Sequence, residues 1–294
     1  MMTGVPRPIV AIIGISSQLG PALMTALHHA NLDVVGLSRS RATAGRCPIH
    51  VYTNGTLPPD PPLPQISALI SLAPLPGIEA VVRLASHMGA RRVIAFGSTG
   101  VFSKAASTSD VERDFVRDQL AAEHTFTSLA TTNNFHWTLF RPTMIYGADT
   151  DQNVSFIRSM IRRFRAFPIP IGARGLRQPV HVEDLADACV KVLNNPAAFN
   201  RAYNLGGGEV IEYAEMVRRI CRADGISPRL VLIPGIVYRW LVRMASRLPS
   251  LGYLSETMVD RMFVDLTTDN AEAQHDFGYA PRRFQPPGRV ATPD

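Results

Sequence analysis

Near the start of the chain, the residues best suited to chemistry are Gly14-Ile-Ser16-Ser17-Gln18-Leu19-Gly20. They lie between the apolar run Ile9–Ile13 and a segment that opens with Pro21. A pyrophosphate needs a chain that turns tightly, bares backbone N–H groups and starts a helix against it. Gly14 supplies the turn and Gly20 the close helix contact, while Ser17 stands where a middle glycine is usual. Pro21 suits the first turn of a helix, where its missing N–H costs nothing. The spacing therefore implies a nucleotide-binding turn over Gly14, Ser16, Ser17, Gln18, Leu19 and Gly20. The next apolar run ends Leu37-Ser38-Arg39-Ser40-Arg41. An acidic residue here would take ribose hydroxyls, and none is present. Arg39, with Ser38 and Arg41, is expected to hold a 2′-phosphate, which favours NADP over NAD; the alternative is a solvated surface arginine.

A turn of this kind works only between a strand and a helix. Ile9–Ile13 and Asp33–Leu37 read as buried strands flanking a helix over Ala22–Ala30. The alternation continues with strands at Ser67–Leu72, Arg92–Phe96, His136–Phe140 and Val180–Val182. Helices are expected at Ile78–Met88, Asp110–Leu129 and Asp184–Asn194. Strands and helices in alternation imply an α/β fold, a doubly wound parallel Rossmann sheet. Between Gly55 and Pro64 the alternation fails, and a proline-rich loop is expected in place of a crossover helix. The Rossmann domain is expected to span 1–147 and 179–205. Segments 148–178 and 206–294 would form a smaller, mostly helical substrate lobe.

Composition narrows the function. The chain has 294 residues, 46% hydrophobic and 18% charged, which suits a folded protein with ample core and excludes a disordered one. Net charge is +6, and only Lys104 and Lys191 among the 30 basic side chains are lysines. Arginine forks match phosphate and carboxylate. There is no basic tail, so nucleic acid is not expected as a partner. Cys47, Cys189 and Cys221 are few and far apart, which implies a reducing, cytoplasmic setting without disulfides or a metal site. The uncharged stretch after Arg7 turns glycine-rich too early for a leader segment. Pro61 to Ile78 carries five prolines and cannot span a membrane as a helix.

Five stretches, in order, resemble the extended short-chain dehydrogenase/reductases of the NAD-dependent epimerase/dehydratase group. They are Gly14-x-x-Ser17-x-x-Gly20, Arg92-Val-Ile-Ala-Phe-Gly-Ser98-Thr99, Phe140-Arg141-Pro142-Thr-Met-Ile-Tyr146-Gly147, Val180-His181-Val182-Glu183-Asp184 and Tyr203-Asn204-Leu-Gly206-Gly207-Gly208. The resemblance implies a nicotinamide cofactor and a nucleotide-sugar-like substrate. It implies active-site hydroxyls at Ser98 and Thr99, and cofactor contacts at Leu72, Ala73, Pro74, Arg141 and Pro142. It also implies a Tyr-x-x-x-Lys pair on the helix after Ser98, the tyrosine moving a proton and the lysine holding ribose and lowering the tyrosine pKa. Here that helix reads Phe115-Val-Arg-Asp-Gln119-Leu-Ala-Ala-Glu123, so Phe115 and Gln119 occupy the two positions. No tyrosine precedes either lysine at that spacing. The family's adenine-contacting Gly-Asp is replaced by Thr53-Asn54-Gly55.

Remaining candidates have structural alternatives. Tyr146 is the one nearby tyrosine able to serve as a substitute acid. His181 reads mainly as a turn hydrogen-bonder, with substrate contact as the alternative. The helix around Phe156–Arg165 carries Arg158, Arg162, Arg163 and Arg165, with Arg174 and Arg177 further along. Arg162 and Arg177 are expected to meet a substrate diphosphate if they are not simply a solvated face. In 234–248, Ile236, Trp240, Leu241, Met244 and Leu248 form a stripe opposite Arg239, Arg243 and Arg247. Core packing is the default reading, and a membrane-surface or protein contact is the alternative. Two functions are compatible with these residues: an oxidoreductase or epimerase with a non-standard proton donor, or a non-catalytic NADP(H)-binding sensor or assembly subunit. A homodimer is a further expectation.

Overall fold

The strand Ile9–Ile13 shows how the sequence dictates layers. Side chains alternate across a strand, and both faces here are apolar. Val10 and Ile12 join one buried cluster, Ala11 and Ile13 another. A strand buried on both faces belongs inside a parallel sheet covered by helices.

The computed structural model describes residues 7–38, 49–51, 64–148, 151, 153–227, 229–247 and 256–288. In chain order the elements are β1 (Ile9–Ile13), α1 (Gly20–His29), β2 (Asp33–Ser38), β3 (Ile49–Val51), β4 (Ala68–Ser71), α2 (Ile78–His87), β5 (Arg92–Phe96), α3 (Gly100–Ser103), α4 (Asp110–Thr132) and β6 (His136–Pro142). Then come β7 (Ile145–Tyr146), α5 (Val154–Phe164), β8 (Phe167–Pro170), β9 (Leu176–Arg177), β10 (Val180–His181), α6 (Val182–Leu193) and β11 (Arg201–Leu205). Last are β12 (Ile211–Glu212), α7 (Tyr213–Ala223), β13 (Leu230–Ile233), α8 (Gly235–Ala245), α9 (Glu256–Arg261) and α10 (Ala271–Phe277).

The fold is α/β and doubly wound. Seven strands lie in the order β11-β6-β5-β4-β1-β2-β3, and every neighbouring pair is parallel. On one face Leu23 and Leu27 of α1 and Leu185, Cys189 and Val192 of α6 pack against Val10, Ile12, Ile70 and Ile94. On the other, Val81, Val82 and Ala85 of α2 and Ala122 and Phe126 of α4 pack against Ala11, Ile13, Leu69 and Val93. The chain reverses its winding between β1 and β4, which opens a crevice at the carboxyl edge.

A third cluster forms the smaller, mostly helical part, with Val154, Ile157 and Ile161 of α5 against Met216, Val217 and Ile220 of α7. Three features depart from the sequence reading. Two short strands, β3 and β11, extend the sheet at either end. The smaller part also holds parallel β8–β13 and antiparallel β9–β12 pairs, where no strong strands are expected. Finally, α10 returns to the main sheet, its Ala273 and Phe277 joining the first cluster beside Tyr203. Most of the expected Gly55–Pro64 loop lies outside the described residues. Among those residues, no helix is long and apolar enough to cross a membrane.

Candidate active site at the carboxyl edge

Parallel strands bring their carboxyl ends to one edge. Gly14 comes after β1, Ser38 ends β2, Leu72-Ala73-Pro74 come after β4, Ser98-Thr99 after β5, and Pro142 ends β6. Gly14 has φ +76°, and a Cβ there would stand 3.1 Å from both the Leu72 carbonyl carbon and the Ala73 nitrogen. At Gly20 a Cβ would lie 1.8 Å from the Ile15 carbonyl oxygen, so only glycine lets α1 start this close to the turn. Backbone bonds lock the loop: the Ser17 N–H donates to the Gly14 carbonyl at 2.8 Å and the Gly20 N–H to the Ser17 carbonyl at 3.0 Å. Ser16 is exposed and Gln18 partly so, whereas Leu19 is packed into the core. The Leu19 side chain is turned into the core, which leaves its backbone as the part of that residue at the turn. Arg39, Arg41 and Thr53-Asn54-Gly55 lie outside the described residues.

Two buried oxygens here have no partner among the described residues. They are the Ser17 Oγ, inside the glycine turn, and the Gln119 Oε1, on α4. A buried acceptor without a donor costs free energy that a bound hydroxyl or N–H would recover. The residues therefore fit a dinucleotide: a backbone cradle that no Cβ could enter, with the orphaned Ser17 Oγ inside it.

Positions 115, 119 and 123 are one helical turn apart and share a face of α4. Phe115 seats against Gly100, where a Cβ would meet its Cε1 at 3.3 Å and the Ser98 Oγ at 3.0 Å. The Ser98 Oγ accepts the Gly100 N–H at 3.0 Å. Thr99 donates its hydroxyl to the Pro142 carbonyl at 3.1 Å, which makes it a tie between β5 and β6. The Lys104 Nζ lies 4.1 Å from the centre of the Phe115 ring. Glu123 is buried and paired with Arg141, and a Cβ at Gly97 would stand 2.8 Å from its Oε1. Sequence reasoning missed Lys104 and Glu123. Glu123 had a signal, four residues after Gln119; Lys104 had none, because α3 alone brings it back toward α4.

Several expectations are corrected. Tyr146 is fully buried. Its hydroxyl accepts the Gln285 N–H at 3.2 Å, and its ring meets Phe284 and His181 edge-on. Burial pushes its pKa up. Arg177 is buried and donates to the carbonyls of Leu176, Arg261 and Val264, so it braces the smaller part instead of meeting substrate. Arg162 puts its Nε and one terminal nitrogen on Asp224, at 2.8 and 3.2 Å, and Arg158 reaches the same carboxylate at 3.2 Å. His181 caps α6, its Nδ1 accepting the Glu183 N–H at 3.3 Å. Its Nε2 would lie 2.2 Å from a Cβ at Gly147, whose φ is +101°. On α8 the expected core stripe is exposed: Ile236 by 85% and Trp240 by 59%, while Tyr238 is the buried residue. Leu248 lies outside the described residues.

Residues 75–206 match the NAD dependent epimerase/dehydratase family. The chain is similar to the UDP-glucose 4-epimerase of Vibrio cholerae, 23% identical over 172 residues, which cover 58% of this chain and 49% of that protein. It is 28% identical over 142 residues to a chloroplast stem-loop binding protein of 41 kDa from Arabidopsis thaliana, covering 46% of this chain and 36% of that one. The chain thus spans half or less of the length of these curated relatives. Among solved structures, MoeE5 in complex with UDP-glucose and NAD superposes with a TM-score of 0.65 at 22% identity, covering 94% of each chain. That likeness shows the α/β fold over most of the chain.

Proposed function

We propose that this chain binds a nicotinamide dinucleotide at the Gly14–Gly20 turn and performs hydride-transfer chemistry on a nucleotide-sugar-like substrate, with a proton donor other than tyrosine. The observation that carries the reading is the orphaned Oε1 of Gln119, buried where the family resemblance puts the ribose-holding lysine. Ser17, Leu72, Ala73, Pro74 and Pro142 would line the dinucleotide. A bound nicotinamide supplies an acceptor and donor of hydride. The chain's own part is to seat it, to orient a substrate oxygen through the Ser98 hydroxyl, and to move a proton. UDP-glucose 4-epimerase and UDP-glucose-bound MoeE5 among the similar proteins support the substrate class. Arg39, with Ser38 and Arg41, would favour NADPH over NADH by about 1.5–3 kcal/mol, the worth of a charge-assisted hydrogen bond. Arg39→Ala should then equalise the two.

The test is to restore the pair. Phe115→Tyr with Gln119→Lys should raise nicotinamide-dependent turnover of UDP-glucose, since positioned acid–base help is worth roughly 10²–10⁴-fold. No nicotinamide-dependent turnover in either form, while the cofactor still binds, would contradict the reading.

A second reading has its own observation. The exposed face of α8, with Ile236, Trp240 and Met244, fits a protein or membrane-surface contact. In that reading the chain is a cytoplasmic NADP(H)-binding sensor or assembly subunit, and NADPH binds without any turnover.

A further inference from the structure

Phe115 cannot carry a proton, yet a proton-carrying group sits on its face. The Lys104 Nζ lies 4.1 Å from the ring centre. The same ring packs at Gly100, beside the Ser98 hydroxyl. Lys104 is delivered by α3, whose backbone turns so that the Lys104 N–H donates to the Gly100 carbonyl at 3.0 Å. Ser98, Gly100, Phe115 and Lys104 therefore form one cluster at the carboxyl edge. Lys104 is also one of only two lysines in a chain that otherwise uses arginine. Arginine cannot release a proton near neutral pH, and lysine can.

We propose that Lys104 is the proton-transfer residue of this site, acting from the face of Phe115 in place of the family's tyrosine. The proposal rests on the function proposed above and names its missing donor. In the oxidative direction, a substrate alcohol loses its C–H as hydride to an oxidised nicotinamide and its O–H proton to the free amine at Nζ, and a C=O bond forms. In the reductive direction both return, and the ammonium supplies the proton to the carbonyl oxygen. No further co-reactant is needed.

The surroundings suit that task. Half-burial and the Arg261 guanidinium hold the Lys104 pKa below the ordinary lysine range, and Glu112 opposes them. Arg261 comes from α9 and Glu112 from the first turn of α4, and the two are ion-paired, with the Thr257 hydroxyl also on Glu112 at 3.2 Å. Desolvation destabilises the ammonium, and the neighbouring pair leaves it less than one full counter-charge. Lys191, by contrast, donates to the Gly278 carbonyl at 2.7 Å, far along the chain.

The two lysines make a clean assay. The full chain is treated with limiting trinitrobenzenesulfonate near neutral pH, and modification at Lys104 and Lys191 is tracked by peptide mass. Lys104 should react faster than Lys191, and saturating NADH should slow it at least ten-fold while leaving Lys191 unchanged. Binding of NADH and of NADPH is measured separately by calorimetry. No binding of NADH or NADPH means the cofactor reading fails; binding without protection of Lys104 overturns this proposal alone. A second variant separates chemistry from folding. Lys104→Arg keeps the cation over Phe115, so NADH should still bind. UDP-glucose turnover should fall at least 100-fold, and the Lys104 limb of its pH profile should disappear. Full activity in Lys104→Arg would show that the residue serves only as a fixed charge and would overturn the proposal.

Discussion

Glu123 and Arg141 form a bidentate ion pair between α4 and the end of β6, with Nε to Oε1 at 2.9 Å and the terminal nitrogen to Oε2 at 2.5 Å. Glu123 is buried and Arg141 largely so. The pair fixes the rotation of α4 against the sheet, and with it the face that presents Gln119 and Phe115. Glu123→Ala leaves a guanidinium buried without its partner, which should cost about 3 kcal/mol. Urea denaturation would show this as a lower midpoint. Glu123→Gln, which keeps one acceptor, should lose less. Equal midpoints in all three proteins would mean that the pair does not hold the helix.

Asp224 gathers Arg158 and Arg162 from α5, and its side chain is 1% exposed. Asp224→Ala should therefore destabilise by about 3 kcal/mol. Arg162→Ala should cost roughly 1 kcal/mol or less, because that arginine is half-exposed. The thermal shift caused by UDP-glucose should be the same in Arg162→Ala as in the unmutated chain. A shift abolished in that variant would restore Arg162 to the substrate site.

His181 gives the fold a pH dependence of known sign. Burial, then the neighbouring Arg282, hold its pKa below the ordinary histidine value. Its Nδ1 can cap α6 only while it lacks a proton. As pH falls through the ordinary value toward the folded one, the unfolded chain takes up the proton first, so stability drops. Above the ordinary value this contribution is constant. Urea midpoints from about pH 7.5 to about pH 5.5 should fall more steeply in the unmutated protein than in His181→Asn, which keeps a capping oxygen that does not titrate. Identical slopes would contradict the cap.

Much of the main sheet was legible because each strand carries its own signal. Val10 to Ile13 is apolar on both faces, and Gly14 and Pro21 mark the turn and the start of the helix beyond it. The smaller part was not legible in the same way. Phe167-Pro-Ile-Pro170 pairs in parallel with Leu230–Ile233, two short stretches some sixty residues apart, and its prolines argue locally against a strand. The site divides similarly. The glycine turn could be read along the chain, because Gly14 and Gly20 announce it locally. Lys104 could not, because its closeness to Phe115 depends on how α3 folds back on α4. Arg162 and Arg177 misled for the opposite reason: an arginine looks the same in sequence whether it faces a phosphate, Asp224 or three backbone carbonyls. The α8 stripe misled too, since spacing alone does not say whether an apolar face is covered.

The central claim is that the buried Gln119 acceptor waits for a nicotinamide dinucleotide, and a calorimetric titration of NADH into the unmutated chain and Gln119→Leu tests it most directly. The unmutated protein should bind NADH saturably, one to one. Gln119→Leu should bind about ten-fold more weakly, the worth of one hydrogen bond near 1.4 kcal/mol. Its stability should be no lower, because an unsatisfied acceptor has been removed from the interior. Absence of saturable heat with NADH and NADPH alike, or equal affinity in the two proteins, would contradict the account.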